Sequence, residues 1–474
     1  MFELIRTLKN KSRLLQVIDR LPISIFKHFQ FKYFLKELEN DFERMKFIDN
    51  IISKDLDNYS FINIIESLEI DKNKIKYFKF LPKYSQVRII KQFTDLEIKK
   101  ECTLNSIYSE YRSELVASIE DEQFIIEIFD KIDVKKFRHN LITKIDDIKL
   151  KEKLIVRLGD KSLLDFIESF KIQSKEISID NDIDSKITIG VELETCHKDI
   201  DSLLLLKEMP HKYRIMRDGS VLNGFEIVSP ILHHTKEDMN NLNNICDILK
   251  YNSFYTDFSC GGHIHLGADY LENIDEYKMF LHLYCNFEDI IYLICNRQHS
   301  KGRASIVKFA QKTKEKYIMA EKAGLFDGDY ESIEDFKEKI IELNENRYKG
   351  LNVYNLRKNR INTFEFRMAN GEIEFNELYY NIKLYTRLLQ VSKELANIKE
   401  DDPRYEYLEV LNKPLKQKDK LNLLLALLFK NETDRNIYRE RYNKNISVLN
   451  SIYSEIKRDK VVKIVKPKNL VLKK

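Results

Sequence analysis

The 474-residue chain is sparing with the residues that punctuate or staple a fold: 7 Pro, 12 Gly and 6 Cys. The cysteines stand at 102, 196, 246, 260, 285 and 295, with no CxxC pair and no disulfide-framework spacing. That spacing argues against a disulfide scaffold and a closed sulfur-rich zinc site, and it suits reduced thiols in a cytoplasmic protein. Long apolar runs are missing as well. The most apolar stretch, Leu423 to Phe429, is far shorter than the roughly 18–20 residues a membrane span requires. The opening MFELIRTLKNKSRLLQVIDRL mixes charges throughout, so no secretory signal is expected. Neither sign of charge dominates: 80 Lys+Arg against 76 Asp+Glu leaves +4, which implies no global pull on nucleic acid. Neither GxxxxGK[ST] nor GxGxxG occurs, so a nucleotide would have to be held by metal and side chains.

Core material is ample: 43% of residues are apolar and 11% aromatic, enough for two or three domains at about 100–200 residues each. Residues 1–172 read as helix after helix. Phe47, Ile51, Ile52 and Leu56 recur at helical spacing, as do Phe124, Ile125, Ile128, Phe129 and Ile132, and Leu163, Leu164, Ile167 and Phe170. No strict period stands out, yet short apolar helices joined by Asp/Lys/Asn turns resemble a helical-repeat array, with a plain helical domain as the alternative. A polar stretch, 173–186, is the expected linker. Beyond it come short alternating strands at Ile187–Thr195, Phe225–Ser229, His263–Gly267, Leu351–Leu356 and Ile361–Met368, with a long helical stretch at about 275–346. The expected organisation is a 187–400 catalytic domain, C-terminal helices to 457 and a basic tail, 458–474, read as a solvated terminus. The fold class is α+β, an antiparallel sheet with helices, preceded by the all-α domain.

Three strand-borne pairs carry the chemistry. Residues two apart on a strand point the same way, so Glu192 and Glu194 of Gly190-Val-Glu-Leu-Glu194 stand side by side and repel unless a cation lies near. His263 and His265 share one face inside Cys260-Gly-Gly-His-Ile-His-Leu-Gly267, and so do Glu365 and Arg367 between Phe364, Phe366 and Met368. Between the first two pairs lie Asp218, at a turn signal, and Glu226, pointing away from its strand's apolar face. Each alone is also what a solvent-facing edge, a surface strand or a structural ion pair presents. Together they describe a sheet with one buried face and one face suited to Mg²⁺ or Mn²⁺ and an anionic ligand. The stretch at 275–346 adds Arg297, Arg303 and Lys308 as candidate phosphate or substrate contacts, or as a solvated helix face.

With these motifs in this order, GVELET, DGS…FEIVSP, CGGHIHLG and NTFEFR, roughly residues 186–395 resemble the amidoligase family of the glutamine synthetase and glutamate–cysteine ligase superfamily. That resemblance implies a glutamine-synthetase-like catalytic sheet, ATP and Mg²⁺ (or Mn²⁺) as cofactors, and amide or isopeptide formation through an acyl phosphate. It implies Glu192, Glu194, Glu226, His263 and Glu365 as metal ligands, and Asp218 as a further acidic group near them. His265 would lie close to nucleotide, Arg367 would face the transferred phosphate, and Asn355 would stand on the neighbouring strand. The carboxylate and amine substrates, a peptide among them, stay open. A metal-dependent hydrolase on the same groups is one rival. Another is a non-catalytic scaffold acting through residues 1–172, which are in either case the expected surface for a protein partner.

Overall fold

Aspartate sets the rhythm of the helical half. Asp95, Asp121 and Asp147 each precede a helix in extended backbone, and each carboxylate accepts the N–H three residues on: Ile98 at 3.0 Å, Phe124 at 3.0 Å and Leu150 at 2.7 Å. A cap of this kind contributes about 1 kcal/mol by satisfying a helix N–H that has no partner within the helix. The computed structural model describes residues 38, 40–51, 58–105, 109–198, 203–221, 223–296, 306–322, 324–325, 328–344, 346–399, 402–411 and 413–452. The described chain divides at Asp160/Lys161 into two compact units.

The first unit holds α1 (Asp41–Ile51), α2 (Asn58–Glu66), α3 (Asp71–Ile75), α4 (Lys83–Lys91), α5 (Leu96–Leu104), α6 (Ser109–Ala117), α7 (Glu122–Lys131), α8 (Lys135–Lys144) and α9 (Ile148–Leu158). From α5 on, helices begin at 96, 109, 122, 135 and 148, and α10 (Lys161–Glu168) opens the second unit at 161, each a step of 13. The aspartate caps fall 26 apart, once per helix pair. The spacing is that of a two-helix repeat, which hydrophobic periodicity alone did not expose. The physical reason is that two of the repeating core positions are polar. Ile125 and Phe129 are buried in α7, but the matching positions of α5 are Lys99 and Thr103. Lys99 is tolerated there because its ammonium donates to the carbonyls of Lys91 (3.0 Å) and Ser118 (2.7 Å).

The second unit is built on a sheet of β1 (Thr188–Cys196), β2 (Arg214–Asp218), β3 (Gly224–Val228), β4 (Leu232–His233), β5 (Gly261–Gly267), β6 (Leu351–Asn352) and β7 (Thr363–Asn370). Every strand pair is antiparallel, the order is β2-β3-β1-β5-β7-β6, and β4 pairs with the start of β1. Its helices are α11 (Lys236–Tyr251), α12 (Ile274–Cys295), α13 (Ile306–Phe309), α14 (Lys314–Lys322), α15 (Ile333–Asn344), α16 (Phe375–Ala396), α17 (Tyr405–Leu411), α18 (Gln417–Leu428) and α19 (Glu432–Ile452). One sheet face is apolar: Val191, Leu193, Phe225, Ile227, Ile264, Phe364 and Phe366 are all buried. Phe364 packs on Tyr277 and Phe280 of α12, and Phe366 stacks on Tyr385 of α16 with centroids 4.0 Å apart. Truncating such a ring costs about 3–5 kcal/mol, so this face anchors the sheet.

Several sequence expectations change here. Residues 173–186 do not behave as a free linker: Ser174 Oγ donates to Asp247 of α11 (2.5 Å), and the Asp180 and Asp184 N–H groups donate to Tyr379 and Gln390 of α16 (2.9 and 3.1 Å). The stretch is polar because its partners are polar side chains. Among its described residues, the helical stretch at 275–346 holds the separate helices α12 to α15. The strand expected at Leu351–Leu356 stops at Asn352 and turns through a 3₁₀ segment, Tyr354–Leu356, while β2 and β4 were not anticipated. Among the described residues no helix is long and apolar enough to cross a membrane. Arg297, Arg303 and the 458–474 tail lie outside the described residues.

Candidate functional site

Directly opposed residues of an antiparallel sheet point to the same face. The register pairs Glu194 with Glu226, Glu192 with His263, His265 with Glu365, and Asn352 with Glu365. Strand alternation adds Arg367 to Glu365. Five strands therefore deliver four carboxylates, two imidazoles, an amide and a guanidinium to the face opposite the aromatic core. One extra residue on β7, between Phe366 and Ala369, forms a bulge opposite β5 beside Arg367, a device that re-aims side chains. This is no solvent-facing edge: β1 is interior to the sheet, and Glu194, His263, His265 and Glu365 are all buried.

Glu192 is the hub. His263 Nδ1 lies 3.1 Å from its Oε2, and His265 Nε2 lies 3.1 Å from its Oε1. His263 Nε2 is 3.4 Å from Glu194 Oε1, while Glu194 Oε2 accepts the Gly261 N–H. Glu365 pairs with Arg367 through one oxygen and accepts the Asn352 and Asn355 amides through the other (2.6 and 3.0 Å). Thr363 Oγ1, 3.0 Å from His265 Nδ1, orients that ring. Arg367 Nε donates to the Phe309 carbonyl of α13 (3.3 Å), which brings that helix to the rim.

The electrostatics follow from this crowding. Burial opposes ionisation of Glu192, but the hydrogen bonds from His263 and His265 outweigh it and hold the carboxyl well below the usual range. Glu226 goes the other way: burial, then the charges of Glu192, Asp218 and Glu194, push it up to about 8. Burial works against a charged His265, yet Glu192 and Glu365 raise its pKa, and Arg367 with the two imidazoles lowers that of Glu365 despite its burial. One carboxyl is thus pushed up while its neighbour is pushed down, as expected where acids converge.

On this face, among the described residues, two groups of donors have the spacing to hold metal ions, Glu192/Glu226/His263 and Glu192/His265/Glu365, with the ligand atoms of each within 4.8 Å of one another. They share Glu192. Carboxylate oxygen with a single imidazole per group is a donor chemistry that fits Mg²⁺ or Mn²⁺. The sequence reading placed His263 with the metal ligands and His265 toward nucleotide; both rings sit in donor groups. Asp218 lies apart from these groups: its Oδ1 accepts the Ser220 N–H (2.7 Å) at the β2–β3 turn, and only its charge reaches Glu226. Asn355 stands on the 3₁₀ turn rather than on a strand. Lys308 is exposed, its ammonium over the Phe309 ring. Asn352 and Thr363 were missed. Asn352 was findable as the residue that the β6–β7 pairing sets opposite Glu365, but only once the register was known.

The sheet thus has one helix-covered aromatic face and an opposite, buried face rich in acid and imidazole. Residues 168–389 match the family model described as "Putative amidoligase enzyme". No curated protein matches the chain.

Proposed function

We propose that the chain is an ATP- and Mg²⁺-dependent carboxylate–amine ligase of glutamine-synthetase-like kind. The observation that carries this reading is the pair of donor groups sharing Glu192 on one buried sheet face, within the segment that matches the amidoligase family. Glu192, Glu226 and His263 would hold one Mg²⁺ (or Mn²⁺), Glu192, His265 and Glu365 the other, with Glu194 alongside. Bound there, the cations supply Lewis acidity and neutralise phosphate charge.

The chain's own residues do the positioning. The Gly261 N–H fixes Glu194, Asn352 and Asn355 fix Glu365, and Thr363 fixes the ring of His265. Arg367, anchored on Glu365 and on the Phe309 carbonyl, presents the planar fork that suits a phosphoryl group in transfer. In this reading a substrate carboxylate oxygen bonds to the γ-phosphorus of ATP and ADP leaves, giving an acyl phosphate. An amine then bonds to the acyl carbon and phosphate departs, leaving an amide. Arg367 stabilises the negative charge that develops in both steps. The first unit's helical repeat would engage a protein partner, since such arrays offer extended surface.

Thermal melting of the full chain with MgCl₂, with a non-hydrolysable ATP analogue, and with both tests the reading. Stabilisation that needs both together supports a ligase. Full stabilisation by metal alone would favour a metal-dependent hydrolase on the same residues, and no stabilisation by any combination would remove the proposal.

A further inference from the structure

The sequence spacing separates all six cysteines, but folding brings two of them together. Cys196 ends β1 and Cys260 immediately precedes β5; both are fully buried, and their sulfurs are 3.6 Å apart. Asp257, on the loop leading to Cys260, places Oδ1 3.7 Å from the Cys260 sulfur. The three ligand atoms lie within 4.8 Å of one another, and no other group of described residues with metal-holding spacing contains a cysteine. The loop is held to the strand by a reciprocal backbone pair: the Cys196 N–H donates to the Tyr255 carbonyl (2.8 Å) and the Tyr255 N–H to the Cys196 carbonyl (3.1 Å). Ser259 orients the Asp257 carboxylate through its N–H (2.7 Å) and its hydroxyl.

We propose that Cys196, Cys260 and Asp257 form a second metal site, for a thiophilic divalent cation such as Zn²⁺, separate from the carboxylate–imidazole groups on the sheet face. The Cys196–Cys260 and Cys260–Asp257 separations match the ion. With Zn–S at about 2.3 Å and Zn–O at about 2.0–2.2 Å, a tetrahedral ion sets two thiolates about 3.8 Å apart and a thiolate and carboxylate oxygen about 3.5 Å apart. The donor chemistry also separates the two sites: thiolate selects zinc, whereas carboxylate with imidazole leaves Mg²⁺ or Mn²⁺ on the face. A carboxylate held by hydrogen bonds from Ser259 is the usual support of a ligand of this type. A fourth vertex is left to an exogenous ligand. The ion would join the end of β1 to the start of β5, next to the Gly261 N–H that holds Glu194, and would brace that side of the candidate active face.

The test uses the full chain, reduced, in excess Mg²⁺, titrated with Co²⁺ as a spectroscopic stand-in for Zn²⁺. The expected result is a thiolate-to-cobalt charge-transfer band that saturates at a single equivalent and is reversed by Zn²⁺. Cys196→Ser and Cys260→Ser should each abolish the band, Asp257→Asn should weaken cobalt binding about tenfold or more, and Glu192→Gln should leave it unchanged. A wild-type protein that shows no such band overturns the site, as does a band that survives both cysteine substitutions. Should the cysteine variants not fold, the wild-type titration and Asp257→Asn still decide the matter. Because Glu192→Gln spares this band, failure here and failure of the ligase reading are told apart.

Discussion

Two regions of this molecule, the helical unit and the charged sheet face, bury carboxylates in opposite ways. In the helical unit Asp71 is 3% exposed and saturated with donors: the N–H groups of Thr94 and Asp95 at 2.6 and 2.8 Å and the Lys74 ammonium at 3.1 Å. Asp41 likewise accepts the Glu69 and Ile70 N–H groups and the Asn73 amide. These acids stitch chain segments together, and everything they require is inside the protein. On the sheet face, Glu192, Glu194, Glu226 and Glu365 face two imidazoles, one guanidinium and one another, and burial with these neighbouring charges pushes Glu226 up to about 8. Acids that complete a fold carry their own partners. The acids of the sheet face also have partners, but they crowd one another, and that crowding, rather than burial itself, sets them apart.

Substitutions can break the contrast. Glu192→Gln keeps the shape but removes the shared charge from both donor groups, so the stabilisation by Mg²⁺ with ATP analogue should vanish and any ATP turnover fall on the order of a thousandfold. Retention of either effect would disconnect Glu192 from the site. Asp71→Ala strands the Lys74 ammonium and two backbone N–H groups, and should cost about 3–5 kcal/mol in urea denaturation. A loss below about 1 kcal/mol would mean that the acid is not the staple described here.

Acid should separate the units as well. Burial opposes charge on Asp71, but its bonds to the Asp95 N–H and to Lys74 outweigh this and lower its pKa. A carboxylate with a depressed folded pKa contributes stability that is complete above its unfolded value of about 3.9 and is lost as pH falls through the lower folded value. The difference between wild type and Asp71→Ala should therefore be constant from neutrality down to about pH 4–5 and shrink below it. A difference that disappears already at pH 6 would contradict this. The smallest effect belongs to Glu226→Gln without added metal: stability unchanged or raised by up to about 1 kcal/mol, because like-charge crowding is relieved. Clear destabilisation there would place Glu226 among the structural acids.

The parts of this chain that were legible in its sequence are those governed by neighbours along the chain. Alternation in Ile187–Thr195 and Ile361–Met368 gave the strands and the shared face of each charged pair, because side-chain direction on a strand follows from parity alone. The aspartate caps were also local, and the 26-residue step between Asp95, Asp121 and Asp147 could have revealed the helical repeat. It was hidden because core periodicity was sought in apolar residues, and Lys99 and Thr103 interrupt that pattern. The polar stretch at 173–186 misled for a related reason: low hydrophobicity signals a linker only when no polar partners wait in the fold, and here Tyr379 and Gln390 do.

By itself, then, the sequence determined the helix-rich and sheet-bearing regions and the shared strand face of each charged pair, since these depend on residue type and spacing of two or three to four positions. Only the tertiary structure decided that Glu192 lies between His263 and His265, that Asn352 meets Glu365, and that Cys196 meets Cys260 across 64 residues. Strand order and register bring these about, and register is fixed by which face is buried and by the turns between strands, a property of the whole sheet that no single segment contains.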